Sequence, residues 1–281
     1  MILPKDYGSG FVLTLFTNNV EIARLADEAG IDRIGLDLEV LGKIERQDPS
    51  KTWISDHLIS EIPAVRRVLK NAQLFVRTNP LNTKSKYEID RLVDLGAEVL
   101  MLPMFSDAVE AQQWIDMVAG RAETSLLVET ASAAKNIKDI TKVSGVDEIH
   151  VGLNDLHLDL KMNNHFEVLV SPLMEKVSTC VHEAGINFGF GGIARVNDET
   201  LPISSDLIYA QYPRLNADRA LVSRIFLSPD YRLFSLTEEV AKFRQMMTKW
   251  SKQSCQDLYD AKDILAKAIL EMEKSSKQRI H

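Results

Sequence analysis

Charged residues that could carry out chemistry stand at the ends of short apolar runs in this sequence. They are four carboxylates and one guanidinium: Asp37, Glu39, Arg77, Glu129 and Asp155. A charge at the end of a buried strand is costly unless it is paired or bound to a metal. For any one of these residues, a structural ion pair is as good an explanation as a functional site. The five residues together predict one shared site.

Glu129 and Asp155 follow neighbouring predicted strands, so we expect their carboxylates to meet at one cation. Two carboxylates, with water and substrate oxygens completing the shell, suit Mg²⁺ or Mn²⁺, with Co²⁺ as a further candidate. Arg77 would then hold a substrate carboxylate or a developing oxyanion.

Eight apolar runs are predicted to be the strands that position these side chains. Near-continuous apolar runs are typical of buried parallel strands, and the amphipathic segments between them mostly end at or near a glycine, as helices do. Eight strands alternating with helices over about 220 residues predict an α/β fold, a (β/α)8 TIM barrel, in which chemistry collects at the carboxyl ends of the strands. The predicted strands span residues 11–16, 32–38, 73–78, 98–103, 124–129, 147–152, 186–191 and 206–211.

A doubly wound sheet is the alternative fold, but such a sheet normally has a glycine-rich phosphate loop after an early strand, and this sequence has none there.

We assign residues 1–235 to a catalytic barrel domain and 236–281 to a C-terminal helical extension, because apolar residues recur at helical spacing in the last segment. The extension packs either on its own barrel or on a neighbouring subunit, which would make it an oligomerisation element.

The composition excludes several classes of protein. The 281 residues carry 33 Lys and Arg against 40 Asp and Glu, a net charge of −7. Without a dense basic stretch the chain is a poor candidate for nucleic-acid binding. Cys180 and Cys255 form no CxxC pair, and we find no signal peptide and no apolar run long enough to span a membrane. We therefore expect a cytoplasmic protein that binds neither nucleic acid nor membrane.

Three segments resemble one enzyme family. They are residues 76–83 (VRTNPLNT), 95–111 (LGAEVLMLPMFSDAVEA) and 126–160, which contains VGLNDL. The family is that of the HpcH/HpaI aldolases and citrate lyase β-subunits, in the phosphoenolpyruvate/pyruvate superfamily. The resemblance implies a (β/α)8 barrel that makes or breaks carbon–carbon bonds next to a metal-held enolate. The separation of Glu129 and Asp155 (155 − 129 = 26) is similar to that of the family's two metal ligands, although Leu153 replaces the usual proline of the turn.

The resemblance also implies roles for individual residues. Glu129 and Asp155 would bind the metal, and Arg77 would contact the substrate oxygens held on it. Asp37 and Glu39 would order metal-bound water. The segments expected to flank the substrate carboxylate are Pro103 with Met104 and Gly152 with Leu153 and Asn154. Family members form trimers or hexamers, so we expect a homo-oligomer.

One departure concerns proton transfer. The family has His or Asp directly after the acidic pair, whereas this chain has Val40. His57, in the insertion 43–62, and His157, after the metal-ligand turn, are candidate replacements. A lone histidine is more often a surface or core residue than a catalyst. Tyr212 and Arg214 follow the last predicted strand, and we expect Arg214 to pair with Asp218.

The sequence therefore predicts a divalent-metal-dependent carbon–carbon lyase that forms or cleaves the aldol of a 2-oxo acid, such as pyruvate, and an aldehyde. One alternative is an acyl-CoA lyase of the citryl- or malyl-CoA type, for which Lys43, Arg46, Lys51 and Lys84 are the basic residues available near the mouth. A second alternative is a non-catalytic barrel that binds a metal or a keto acid, which the valine at position 40 favours.

Overall fold

Eight parallel strands close into a barrel in the computed structural model, which describes residues 6–43, 55–227 and 230–278. Each strand pairs with the next along the chain, and β8 pairs with β1. The predicted TIM barrel is confirmed. The strands are β1 (Val12–Phe16), β2 (Arg33–Asp37), β3 (Gln73–Arg77), β4 (Val99–Leu102), β5 (Glu123–Val128), β6 (Glu148–Val151), β7 (Asn187–Ile193) and β8 (Arg219–Val222).

Helices surround the barrel and follow its strands. Asn19 and Asp107 cap two of them, each side chain accepting hydrogen bonds from two backbone N–H groups of the first turn. The helices are α1 (Val20–Glu28), α2 (Ile62–Val68), α3 (Ser85–Asp94), α4 (Ala108–Val118), α5 (Ala131–Lys135), α6 (Ile137–Ile140), α7 (Leu153–Asp159), α8 (Glu167–Val170), α9 (Pro172–Glu183), α10 (Ser205–Tyr209), α11 (Gln211–Arg214), α12 (Leu236–Trp250) and α13 (Cys255–Gln278).

The eighth strand was predicted in the wrong place. Residues 206–211 lie in α10 and α11, whereas β8 is Arg219–Val222. The two short helices are buried on nearly all sides, so their apolar run resembles that of a buried strand. Tyr212 therefore does not stand at the mouth: it is fully buried, and its hydroxyl donates to the carbonyl of Phe190.

The expected partner of Arg214 was wrong as well. Its guanidinium pairs with Glu175 of α9 at 2.9 Å, while Asp218 pairs with Arg219 at 2.8 Å. Both differences follow from the displaced strand, because Arg214 lies before β8 rather than after it.

The interior of the barrel is sealed below the mouth. At the amino ends of the strands, Glu148 Oε2 accepts from Arg33 Nη1 and Arg219 Nη1, each at 2.6 Å. Above this buried ion cluster lies an apolar layer made by Phe75, Val99, Met101 and Leu127. Because these two layers fill the lower barrel, the open space lies at the carboxyl ends of the strands.

The two long helices at the end of the chain pack on the barrel of the same chain. Phe243 of α12 meets the ring of Phe11 edge to face at 5.2 Å, and Arg244 pairs with Asp32 at 2.9 Å. Lys262 of α13 pairs with Glu175. In the described part of the chain, every helix is too short or too polar to cross a membrane.

Candidate active site

A cavity of about 640 Å³ opens at the carboxyl ends of the strands. Several strands deliver charged residues to it at their carboxyl ends, as the rule for this fold requires. The predicted residues that line it are Asp37, His57, Arg77, Glu129, Gly152, Leu153, Asn154 and Asp155.

Glu129 stands directly after β5 and is 2% exposed. Its Oε1 accepts a hydrogen bond from the backbone N–H of Met104 at 3.1 Å. On its other side lies Gly152, where a Cβ atom would come within 2.7 Å of Glu129 Oε2. The missing side chain at position 152 is therefore what lets the carboxylate lie against the end of β6.

Burial raises the pKa of Glu129. The positive charge of Arg77 opposes this shift, whereas the negative charges of Asp155 and Glu39 add to it. A buried carboxylate beside a second carboxylate is costly unless a proton or a cation lies between them.

Asp155 approaches from the first turn of α7, which begins immediately after Gly152, and its Oδ1 is fully buried. Glu129 and Asp155 thus offer hard oxygen donors at one spot on the cavity wall. Among the described residues, no group of three or more His, Cys, Asp or Glu side chains is arranged for a metal ion. A pair of carboxylates that leaves the remaining positions to water and substrate is nevertheless a usual arrangement for Mg²⁺, so these residues fit such an ion.

Arg77 leaves the end of β3 and is held by the acidic pair after β2. Its Nε and Nη2 donate to the two oxygens of Asp37 at 2.8 and 2.7 Å, and Nη2 lies 3.5 Å from Glu39 Oε2. Although burial acts in the opposite direction, the charges of Asp37 and Glu39 raise the pKa of Arg77, so the guanidinium stays charged. The fork geometry fixes its direction as well as its charge.

Lys43 completes this cluster, although from the sequence we expected it only as a basic residue for CoA near the mouth. It is 3% exposed, and its Nζ lies 2.8 Å from Asp37 Oδ2 and 3.4 Å from Glu39 Oε2. Burial alone would raise the pKa of Asp37, but Arg77 and Lys43 hold it well below its usual range. Arg46 and Lys51, the neighbouring basic candidates, lie outside the described residues.

His57 reaches the cavity from the insertion, of which residues 44–54 lie outside the described part. Its Nδ1 accepts the backbone N–H of Asp37 at 3.0 Å. Burial lowers the pKa of this imidazole despite the nearby charge of Asp37, so it is neutral at pH 7. With Nδ1 accepting, Nε2 carries the proton, and His57 offers a hydrogen-bond donor rather than a base.

A second imidazole on the cavity wall was not predicted. His165 lines the cavity beside Phe166, with the ring centroids 4.0 Å apart. Burial lowers the pKa of His165 to about 4, and His157 adds to the shift. The candidate His157 lies behind it, 9% exposed and with ring centroids 6.0 Å apart.

Several residues named from the sequence stand outside the cavity lining in the described structure. Pro103 and Met104 follow β4, and the N–H of Met104 supports Glu129 instead of facing the open space. Glu39 lies behind Arg77. Val40 is 55% exposed, and its N–H donates to Asn79 Oδ1 at 3.0 Å. Because the eighth strand was predicted in the wrong place, two lining residues that follow β8 were not predicted: Ser223 and Arg224.

Known proteins resemble this chain in sequence. A hydroxypyruvate/pyruvate aldolase of Rhizorhabdus wittichii is 30% identical over a region covering 46% of this chain and 63% of that protein. The 4-hydroxy-4-methyl-2-oxoglutarate aldolase cghB of Chaetomium globosum is 36% identical over 27% of this chain and 28% of that protein. The chain thus spans less than two thirds of the length of these curated relatives.

Solved structures share the fold. An HpcH/HpaI aldolase from Desulfitobacterium hafniense DCB-2 aligns with a TM-score of 0.60 at 22% identity, covering 79% of this chain and 90% of that one. The citrate synthase SbnG aligns with a TM-score of 0.60 at 15% identity, covering 84% and 95%. The sequence model of HpcH/HpaI aldolase/citrate lyase matches residues 11–199, from β1 through β7, more than half of the chain. The chain therefore belongs to the HpcH/HpaI aldolase/citrate lyase family.

Proposed function

We propose that the protein is a divalent-metal-dependent carbon–carbon lyase that cleaves or forms the aldol of a 2-oxo acid through the enolate of pyruvate. The observation that carries this proposal is the meeting of Glu129 and Asp155 in one cavity with the immobilised guanidinium of Arg77. The names of the two curated relatives, both aldolases of 2-oxo acids, support the same class of reaction.

Glu129 and Asp155 would hold Mg²⁺, Mn²⁺ or Co²⁺. When bound, the ion would supply a Lewis acid for the carboxylate and keto oxygens of the 2-oxo acid. Burial of Glu129 and of Asp155 Oδ1 strengthens their attraction for a cation.

Arg77 supplies the fixed positive charge. As a pyruvate methyl group loses its proton to solvent, negative charge moves onto the keto oxygen. A guanidinium already oriented by Asp37 and Glu39 stabilises that charge without having to reorganise. Asp37 itself is a poor base, because its two oxygens accept from Arg77 and Lys43. We assign Asp37 and Glu39 to positioning Arg77.

His57 is the group that we assign to the second substrate. Its Nε2–H donates a hydrogen bond to the aldehyde oxygen, where charge grows during addition and disappears during cleavage. Because the imidazole is neutral, it polarises the carbonyl without adding a cation beside Arg77.

Exchange of the pyruvate methyl protons with deuterated water, followed by proton NMR, tests the proposal without an aldehyde. We expect exchange with Mg²⁺, Mn²⁺ or Co²⁺, loss of exchange with EDTA, and at least a hundredfold loss in Glu129→Gln. Glu123→Gln is the matched control, because Glu123 lies on the same strand at the opposite end of the barrel and pairs with Arg33.

Two results would contradict the proposal. Full exchange in Glu129→Gln would show that a metal ion bound by Glu129 is not required for the reaction. Absence of exchange with every metal, in a folded protein that also fails to cleave acyl-CoA thioesters, would favour the non-catalytic barrel.

A further inference from the structure

The cavity is much larger than a 2-oxo acid requires. Its volume of about 640 Å³ lies within the range of roughly 300–1,000 Å³ found for sites of drug-sized ligands. Pyruvate is a three-carbon acid, so most of this space remains for the second substrate. The side chains that line the remainder therefore report on the chemistry of that substrate.

The cavity has two chemically different halves. The charged half contains Asp37, Arg77, Glu129 and Asp155 and is formed by the ends of β2, β3, β5 and β6. The opposite half is formed by β8, α10 and the segment between β7 and α10. We call its apolar side chains the apolar wall: Leu201, Ile203, Ile208, Leu221 and Val222.

The apolar wall is firmly embedded in the fold. Ile203 and Ile208 are 4% and 6% exposed, and Val222 is 7% exposed. Tyr209 adds its ring to the same side, and its hydroxyl donates to the carbonyl of Ala194. The polar atom of this tyrosine is thus satisfied by the protein and faces no ligand.

The end of β7 leaves space beside this wall. Gly191 and Gly192 line the cavity with backbone alone, and a Cβ at Gly191 would meet Leu221 only at an ordinary 3.6 Å. A flat or extended group can therefore pass from the charged half to the wall. In this half, the polar side chains among the described lining residues are Ser205, Ser223 and Arg224, and Arg224 lies exposed at the rim.

We propose that the aldehyde used at this site carries an apolar group, an alkyl chain or an aromatic ring, which packs on the apolar wall. This inference rests on the proposed function. In the addition, the enolate carbon of pyruvate forms a bond to the aldehyde carbonyl carbon. The carbonyl electron pair moves to the oxygen, which takes a proton from solvent. Cleavage runs the same steps in reverse.

A series of aldehydes tests this specificity with the metal-loaded protein and pyruvate. Burying a methylene is worth about 0.8 kcal/mol, so kcat/KM is expected to rise roughly fourfold for each methylene from acetaldehyde to hexanal. Benzaldehyde is expected to react well. Glycolaldehyde, which is hydroxylated, and succinic semialdehyde, which is anionic, are expected to react no faster than acetaldehyde. A flat series, or a tenfold preference for the hydroxylated or anionic aldehyde, would overturn the inference.

A pair of variants locates the effect. Leu201→Asn places an amide in the apolar wall and is expected to lower the ratio of kcat/KM for hexanal to that for acetaldehyde at least fivefold. Val109→Asn, on the exposed face of α4, is the control and should leave the ratio unchanged. An unchanged ratio in Leu201→Asn would exclude the apolar wall as the binding surface.

The pyruvate exchange assay separates the two proposals. Exchange without chain-length preference contradicts the apolar aldehyde alone. No exchange with any metal contradicts the proposed function and the inference with it.

Discussion

Replacing Gly152 by alanine tests whether the carboxylate of Glu129 must lie where the structure has it. The added Cβ would stand 2.7 Å from Glu129 Oε2 and 2.8 Å from Glu129 Cβ, whereas ordinary contacts of a Cβ begin at 3.4 Å. The carboxylate must therefore retreat by about 0.7 Å (3.4 − 2.7). The backbone of Gly152 has φ −84°, which alanine adopts freely, so the perturbation is local crowding.

A displacement of this size predicts a large loss of activity and a modest loss of stability. Misplacing a reacting group by about 1 Å can cost on the order of a hundredfold in rate. Overpacking a buried site costs roughly 1–3 kcal/mol of unfolding free energy. We therefore expect pyruvate exchange to fall by about a hundredfold and the affinity for Mn²⁺ to weaken at least tenfold.

Proton NMR of exchange, calorimetric titration with Mn²⁺ and thermal unfolding measure the three quantities separately. Gly10→Ala is the control, because its Cβ would meet the nearest atom at 3.4 Å at the other end of the barrel. A folded Gly152→Ala protein with unchanged Mn²⁺ affinity and unchanged exchange would refute the assignment of Glu129 as a metal ligand.

Three further outcomes follow from the geometry. Arg77→Lys is expected to lower the exchange rate more than a hundredfold while leaving the Mn²⁺ affinity within about threefold, because lysine lacks the fork that engages Asp37. An exchange rate within threefold of wild type would contradict the role given to the guanidinium. Val40→His is expected to change exchange less than threefold, since Val40 is exposed and outside the cavity lining; a large gain would show that the site lacks only the family's histidine. Despite burial, Arg219 and Arg33 lower the pKa of Glu148 to about 2. The ionised carboxylate therefore stabilises the folded protein fully above the pKa of about 4.3 that it has in the unfolded chain. This contribution, on the order of 3 kcal/mol of unfolding free energy, is lost as the pH falls towards 2. Glu148→Gln should therefore be less stable at neutral pH and lose less stability on acidification, as measured by urea unfolding at pH 7 and pH 3.

The first seven strands could be predicted from the sequence because each is a buried parallel strand with a near-continuous apolar run. The eighth could not, since β8, Arg219–Val222, is shorter than the apolar run that precedes it at 206–211. Its first residue, Arg219, is buried because it pairs with Glu148. The longer apolar run at 206–211 looked more like a strand, although it forms buried helices between the barrel and α12 and α13.

The charged half of the site was predictable from the rule that strand ends share one mouth. Asp37, Arg77, Glu129 and Asp155 follow from it directly. Lys43 does not, because its position depends on how the loop after β2 turns inward. The tautomer of His57 likewise depends on a hydrogen bond from the backbone N–H of Asp37. The two residues are 20 positions apart, so no local sequence pattern predicts this contact.

The position of a bound metal shows directly whether Glu129 and Asp155 are its ligands. Crystals grown with Mn²⁺ and oxalate, a planar mimic of the pyruvate enolate, can be examined by anomalous scattering. We predict one Mn²⁺ coordinated by carboxylate oxygens of Glu129 and Asp155, with oxalate bound to the ion and within hydrogen-bond distance of Arg77. Manganese bound elsewhere, or oxalate held in the cavity without a metal while exchange activity is intact, would contradict it.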